Sequence, residues 1–375
     1  MIKLFDGFDT VSKDQWLKKA TTDLKGENPL EKFQKVFGTK IIQYPYYDSS
    51  DNKDWLSANI SSLVNNRPYD AWFNTERIVV TNESEANSLA INALQSGSNG
   101  IQFICQAGEI DIKKLMANIE PAYCYCSFKG FVNREIYSYL KEYIEKSNAT
   151  ELQISIIGES SAHSMHNLEL ENSYQSIPKD ISISISDTDT STITTSIARQ
   201  MSFFVDIVCN SNVDNVQLLL NKIIIENVCL NHYFFEIAKL RALRILFAEI
   251  GAYFEVDSPK VFIQSETNGG TDHLENLLIN TTQAMSAIVG GTDSMIVTPH
   301  IKESKDMEEA QFSARIARNV SNLLNEESHF DKVKDPSAGS YYISQLTEQI
   351  VNETWKKFTE IEELGGFTKF NERIA

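Results

Sequence analysis

No apolar run in this 375-residue chain approaches the roughly 20 residues that a membrane-spanning helix needs. Clustered positive charge is missing as well: 34 basic side chains stand against 51 acidic ones, a formal net charge of −17. Polyanion partners are held by basic patches, so nucleic acid is an improbable ligand on this ground. The opening MIKLFDGFDTVSKDQW is acidic and amphipathic, unlike the basic–apolar–small order of a signal peptide. These absences predict a soluble, cytoplasmic protein with neither nucleic-acid nor membrane partners. Signature motifs are lacking too. There is no HExxH, no paired CxxC and no GxxxxGK[ST]. Cysteine is sparse and odd in number: Cys105, Cys124, Cys126, Cys209 and Cys229. Cys124 and Cys126 alternate in YCYC and share one face of an extended chain, which suits reduced core packing better than a disulfide.

What is present is a repeated pattern from about residue 70: a short β-branched or aromatic run, a polar turn, then a helix-period segment. The strand-like runs are 71–80, 100–106, 122–129, 151–158, 181–187, 222–230, 260–266 and 294–300. Between them, SEANSLAINALQSG places Ala86, Leu89, Ala90 and Leu94 at helical spacing, and NREIYSYLKEYIEK aligns Ile136, Leu140 and Ile144. YFFEIAKLRALRILFAEIGAYF is long and apolar around much of its girth. Eight strands alternating with helices predict parallel pairing through right-handed crossovers, and their closed form is a (β/α)8 TIM barrel over residues 70–375. A doubly wound open sheet is the rival, but it calls for a Gly-rich turn after the first strand, and VVTNESEAN has no glycine. Residues 1–69 form an N-terminal extension whose Trp16, Pro45-Tyr46-Tyr47 and Trp55 predict an arm ordered by packing on some surface rather than a free tail. Residues 159–180 read as an elaborated loop.

Chemistry-bearing clusters are few. His163 and His166, with Glu159 nearby, have a spacing that can bring two imidazoles together, yet no third ligand is close in sequence, so no metal site is assigned. Asp187 and Asp189 lie at i, i+2 after the fifth strand, near the end of a barrel where catalytic groups gather. The competing role for that stretch is capping the helix that follows. In EIAKLRALR, Glu236, Lys239, Arg241 and Arg244 sit in an apolar helix, where pairing with neighbours is favoured over anion binding. The doublets Gly269-Gly270 and Gly290-Gly291 are weak indications of a phosphate loop.

Four C-terminal stretches say more. DPSAGSYYISQLTEQIVNETWKKFTEIEELGGF (335–367) closely resembles the end of the barrel in the methylmalonyl-CoA mutase family. FFEIAKLRALRILF (234–247), NLLINTTQAMSAIVGGTDSMIV (276–297) and ARIARNVSNLLNEES (314–328) agree in order, while TTDLKG and PYY in the arm agree more loosely. The resemblance implies an acyl-CoA barrel working with adenosylcobalamin, which the family binds in a separate domain through the His of DxHxxG. That motif occurs nowhere in these 375 residues. Catalytic members continue the fifth strand into a segment resembling SGYHxxEAGA. Aligned on SISISD, its Gly-Tyr-His triplet falls on Asp187, Thr188 and Asp189, and the arginine of NNxxR falls on Ile279 in NLLI.

By this resemblance the site positions Thr188, Asp189 and Ile279 are degenerate, and no catalytic, cofactor-binding or metal residue is assigned. A threonine is too short to replace a tyrosine ring, and an ionised aspartate donates no hydrogen bond to a thioester oxygen. The implied role is that of the non-catalytic small chain of a heterodimer, partnered by a catalytic large subunit that holds the adenosylcobalamin and isomerises methylmalonyl-CoA to succinyl-CoA. The alternatives are a catalytic barrel served by a cobalamin domain on another chain, and an orphan barrel that binds a ligand. Along the fifth strand, Ser182, Ser184 and Ser186 should face the barrel axis and Ile181, Ile183 and Ile185 the helices. The axis itself should be plugged, with Phe103, Tyr123, Tyr125 and Phe262 as candidate fillers.

Overall fold

The computed structural model describes residues 11–38, 40–51, 63, 71–106, 110–132, 134–147, 153–158, 181–210, 216–256, 259–301, 304 and 306–374. Trp55, and the His163–His166 cluster with Glu159, lie outside them.

Eight parallel strands make one sheet: β3 (Phe73–Val80), β4 (Gly100–Cys105), β5 (Tyr125–Gly130), β6 (Ile154–Gly158), β7 (Ile181–Ile185), β8 (Ile223–Val228), β9 (Phe262–Glu266) and β10 (Ser294–Ile296). The hydrogen-bonded order is β6-β5-β4-β3-β10-β9-β8-β7, so the first barrel strand, β3, pairs with the last, β10. β6 and β7 end the ladder and lie next to each other, nearly closing the ring. This is the (β/α)8 barrel expected from the alternation, rather than the open doubly wound sheet. Every strand is shorter than its apolar run suggested; for example, β5 starts at Tyr125 and not at residue 122, and β10 stops at Ile296.

Helices follow the strands. They are α3 (Glu83–Gln95), α4 (Ile112–Leu115), α5 (Arg134–Ser147), α6 (Ile193–Asn210), α7 (Val216–Asn221), α8 (Tyr233–Tyr253), α9 (His273–Gly290), α10 (Met307–Asn322), α11 (Tyr341–Glu363) and α12 (Gly366–Ile374). Their starts carry the expected caps: Asn82 accepts from Glu85 N–H, Asp272 from Leu274 and Glu275, and Ser340 from Ile343. Strand alternation sorts side chains between an inner core and an outer one. Outward Ile181, Ile183 and Ile185 join Ile193, Ile197, Met201 and Phe204 of α6 in a large cluster beneath the helices. Ile101, Phe103, Cys126 and Phe128 do the same under α3 to α5. On α3 the buried face is Ala86, Ala90 and Ala93, whereas Leu89 remains exposed. The side chain of Ile144 is outside the described residues.

The long helix α8 buries its charges as ion pairs. Glu236 meets Lys239 at 2.8 Å, Arg241 bonds Asp335, and Arg244 bonds Asp293 at 2.7 Å. The structural role foreseen for EIAKLRALR is the one observed. Gly290 lets α9 close on α8, because a Cβ there would lie 2.9 Å from Leu240 Cδ1; Gly291, at φ 92°, ends the helix in the left-handed region. The amides of Asn268 and Gly269 are taken by Gln283 Oε1. The glycine doublets therefore serve packing and chain reversal.

The N-terminal extension comprises α1 (Lys13–Asp23), α2 (Pro29–Lys32) and an antiparallel hairpin of β1 (Lys35–Phe37) and β2 (Ile41–Gln43). A capping box of Ser12 and Gln15 starts α1, and Trp16 stacks on Tyr46 with centroids 4.6 Å apart. α1 has no buried residue. The hairpin behaves differently. Ile41 is buried in the main core, both the N–H and C=O of Ile42 bond the Gln349 amide on α11, and Phe37 packs on His232 and Phe235 of the α8 entrance.

Candidate functional site

In a parallel barrel, chemistry collects at the C-terminal ends of the strands. Inward alternation here brings Arg77 of β3, Gln102 of β4, Lys129 of β5, Ser182 and Ser184 of β7, Glu226 of β8, and Gln264 and Glu266 of β9 towards one interior. Its lower part is packed by rings. Phe73 stacks on Tyr125 at 5.3 Å, Tyr125 meets Phe262 at 5.1 Å, and Ile157 and Ile224 complete this inner core. The Tyr125 hydroxyl is satisfied by Ser155 Oγ at 2.9 Å and Gln264 Oε1 at 3.1 Å. Of the four expected fillers, Tyr125 and Phe262 line the axis. Phe103 points outward against Phe128, and Tyr123, ahead of the strand, is 88% exposed.

Above the rings the axis is bridged by charge. Arg77 makes a two-pronged pair with Glu266, its Nη2 lying 2.6 Å from Oε2, and its Nε donates to Gln102 Oε1 at 2.8 Å. Lys129 Nζ sits 2.5 Å from Glu226 Oε1, whose other oxygen accepts from Ser182 Oγ at 3.0 Å. Of the inward serines, Ser182 meets a carboxylate, and Ser184 is exposed. Beside them lies a cavity of about 480 Å³ walled by Ile104, Lys129, Ser184, Gln200, Phe203 and Phe367. Arg77 and Lys129 are thus each matched by a carboxylate partner inside the barrel.

The three aligned positions occupy the rim. Thr188 and Asp189 are exposed. Asp189 Oδ1 accepts from Ser191 N–H at 2.8 Å, its carbonyl accepts from Ile193 N–H, and Asp187 Oδ2 accepts from Thr192 Oγ1 at 2.5 Å. The bond from the Ser191 amide, helped by its hydroxyl, holds the Asp189 carboxyl below its ordinary value. Both aspartate side chains brace the turn ahead of α6, which starts at Ile193. Ile279 is half-buried elsewhere, on a cleft of about 260 Å³ between α9 and the α8 entrance, shared with Asn231, Tyr233 and Gln283. The described lining of that cleft includes neither Thr188 nor Asp189.

One feature of the rim was illegible in the sequence. The turn of the N-terminal hairpin reaches it: Gly38, at φ 61°, approaches so closely that a Cβ would lie 3.2 Å from Ser191 Cα and 3.3 Å from its carbonyl oxygen. With Phe37 against His232, the chain's own hairpin covers the rim between the β7 and β8 loops. The ion pairs escaped notice for a related reason, since Arg77, Lys129, Glu226 and Glu266 are scattered over four strands and converge only on ring closure.

Comparison with known proteins places this geometry. The methylmalonyl-CoA mutase family profile matches residues 178–373. The methylmalonyl-CoA mutase small subunit of Porphyromonas gingivalis is 32% identical over an alignment covering 100% of this chain and 66% of that protein. The small subunit of Propionibacterium freudenreichii subsp. shermanii is 37% identical over 36% of this chain and 22% of that protein. The P. gingivalis large subunit is 35% identical over 37% of this chain and 20% of that protein. The chain therefore spans 66% of the length of its full-chain relative. The family match reaches upstream of the four C-terminal stretches to take in β7 and the Asp187–Thr192 rim, and the chain belongs to the methylmalonyl-CoA mutase family.

Proposed function

We propose that this chain is a non-catalytic small subunit that pairs with a large subunit of the same family, the complex isomerising methylmalonyl-CoA to succinyl-CoA. The observation that carries this reading is the bridged axis: Arg77–Glu266 and Lys129–Glu226 span the interior where a substrate arm would have to pass. The rim agrees with it. Thr188 offers no ring, Asp189 is an ionised carboxylate occupied by the α6 entrance, and Ile279 can neither donate a hydrogen bond nor carry charge. A negative charge at Asp189 would also oppose the charge that a thioester oxygen gathers during reaction.

Adenosylcobalamin belongs, in this proposal, to the large subunit. Three of the described histidines, His232, His273 and His300, are engaged within the fold. His232 packs edge-on against Phe37, His300 Nδ1 bonds Ser313 Oγ at 3.0 Å, and His273 Nδ1 contacts the His300 carbonyl at 3.3 Å. No step of the reaction is assigned to this chain.

The N-terminal segment ahead of the hairpin supplies the partner surface. α1 buries nothing on its own barrel, and Val11 and Phe33 are each more than half exposed. The P. gingivalis relatives carry the names of a small and a large subunit, which supports a paired arrangement. The test is turnover. Purified chain mixed with a separately expressed cobalamin domain of the family should be inactive towards methylmalonyl-CoA, and mixing with a large subunit should give a stable heterodimer. Substantial turnover in the first mixture would overturn the assignment in favour of a catalytic barrel served in trans.

A further inference from the structure

Cys124 and Cys126 stand apart from the mouth, the arm and everything proposed above. Cys126 is the second residue of β5, fully buried on its outer face among Ile101, Phe103 and Ile154. Cys124 precedes the strand by one residue and keeps 6% exposure. Two-residue spacing turns both side chains to one side, and the Sγ atoms lie 3.7 Å apart. Cys124 Sγ also contacts the Glu120 carbonyl oxygen at 3.5 Å. Glu120, Ala122 and Tyr123, the chain neighbours of Cys124, line an open groove of about 630 Å³.

We propose that Cys124 and Cys126 form a two-coordinate site for a thiophilic cation that accepts linear geometry, copper(I) being the metal of choice. Soft thiolates select copper(I) over harder cations. With metal–sulfur bonds of about 2.3 Å, as thiolates make to zinc, a linear unit spans roughly 4.6 Å between sulfurs. The observed 3.7 Å falls short by an amount that small rotations about the two Cα–Cβ bonds can supply. A disulfide fits less well. It needs an S–S bond of about 2.05 Å and Cβ atoms about 3.8 Å apart, whereas two residues of extended chain advance roughly 6.6 Å. Closing that gap would distort a strand held in register at Tyr125↔Gly100 and Cys126↔Ile101. Zinc fails on ligand number: it requires four, and no cluster of three or more His, Cys, Asp or Glu suited to a metal occurs among the described residues.

The binding step is a ligand exchange, Cu⁺ + 2 RSH → [Cu(SR)₂]⁻ + 2 H⁺. Two copper–sulfur bonds form, two S–H bonds break, the protons leave to solvent and no oxidation state changes. The groove carries Lys113 and Lys146 alongside Glu120 and Glu142, with Lys146 bonded to Glu142, so it adds no net charge of its own.

Anaerobic titration of the reduced full chain with copper(I) presented as its bicinchoninate complex tests the proposal, read by native mass spectrometry and thermal melting. One copper per chain is expected, bound with loss of two protons and with a rise in Tm; zinc(II) at the same concentration should leave Tm unchanged. Cys124→Ser, at the edge of the core, should fold and lose the bound copper, as should Cys126→Ala, while Cys209→Ser, which removes the exposed thiol of α6, should bind like the parent. Parental copper binding by folded Cys124→Ser, uptake that depends on Cys209, or loss of two hydrogens without metal, marking a disulfide, would each overturn the assignment.

Discussion

Arg244 reaches from α8 to three acceptors at once: the carbonyl of Val261 at 3.1 Å, that of Gly291 at 2.5 Å, and Asp293 Oδ2 at 2.7 Å. Asp293 in turn accepts from Ile263 N–H at 2.8 Å, so a single guanidinium ties α8 to the ends of β9 and β10. Replacing it strands a buried carboxylate. Arg244→Met should cost about 3–5 kcal/mol, read from the shift in urea midpoint at constant m-value. Thiols give a second residue-scale expectation. Burial pushes the Cys105 thiol from 9.0 up to about 12 and keeps Cys229 protonated by the same cause, whereas Cys209 is exposed. At pH 8, iodoacetamide should modify Cys209 quickly and leave Cys105 and Cys229 intact until unfolding. The sign for stability follows from proton counting. Above pH 9.0 the unfolded thiols ionise while the folded ones hold their protons, so stability falls as pH rises from 9.0 towards about 12.

Among the elements, the N-terminal hairpin carries two different jobs. Its β2 strand belongs to the barrel, through Ile41 in the core and the paired Ile42–Gln349 bonds. Ile41→Ala should therefore destabilise by about 2–5 kcal/mol, as other buried truncations do, and Tm would register it. Gly38→Val should also be costly, because the new side chain meets Ser191 backbone and sits at positive φ. Removing residues 1–34, which takes away α1 and α2 and spares the hairpin, should lower pull-down of the large subunit far more than it lowers Tm. Unchanged affinity with a collapsed Tm would assign α1 to the chain's own fold. An arm recognised only by its aromatic content reads as one unit; the division at residue 35 follows from which apolar side chains find cover.

At the scale of the molecule, the question is whether the barrel still admits an acyl-CoA. Phe73, Tyr125 and Phe262 close the lower axis and two ion pairs cross the upper one. Threading a pantetheine arm would displace the ring stack and break both pairs, which are partly exposed and worth about 1 kcal/mol or less each. Calorimetry of the isolated chain with methylmalonyl-CoA should show no one-to-one micromolar binding. A triple change that removes the bridge, Arg77→Ser with Glu266→Gln and Lys129→Ser, should widen the interior at a cost in stability.

Strand and helix alternation, the closed barrel and the helical placement of EIAKLRALR were legible in the sequence because each follows from a local period, two for strands and 3.6 for helices, repeated eight times. That Thr188, Asp189 and Ile279 differ in residue type from the aligned positions of catalytic members is a comparison of sequences and needs no coordinates. Direction within the barrel was only half legible. Ile and Ser alternate plainly in ISISIS, but Phe103 and Tyr123, apolar in apolar runs, gave no sign that one faces the helices and the other lies before the strand. What only the tertiary structure decided are the pairings between distant positions. Arg77 with Glu266, Lys129 with Glu226 and Gly38 over Ser191 join residues far apart in the chain, and such contacts depend on ring closure and register, which no local pattern encodes.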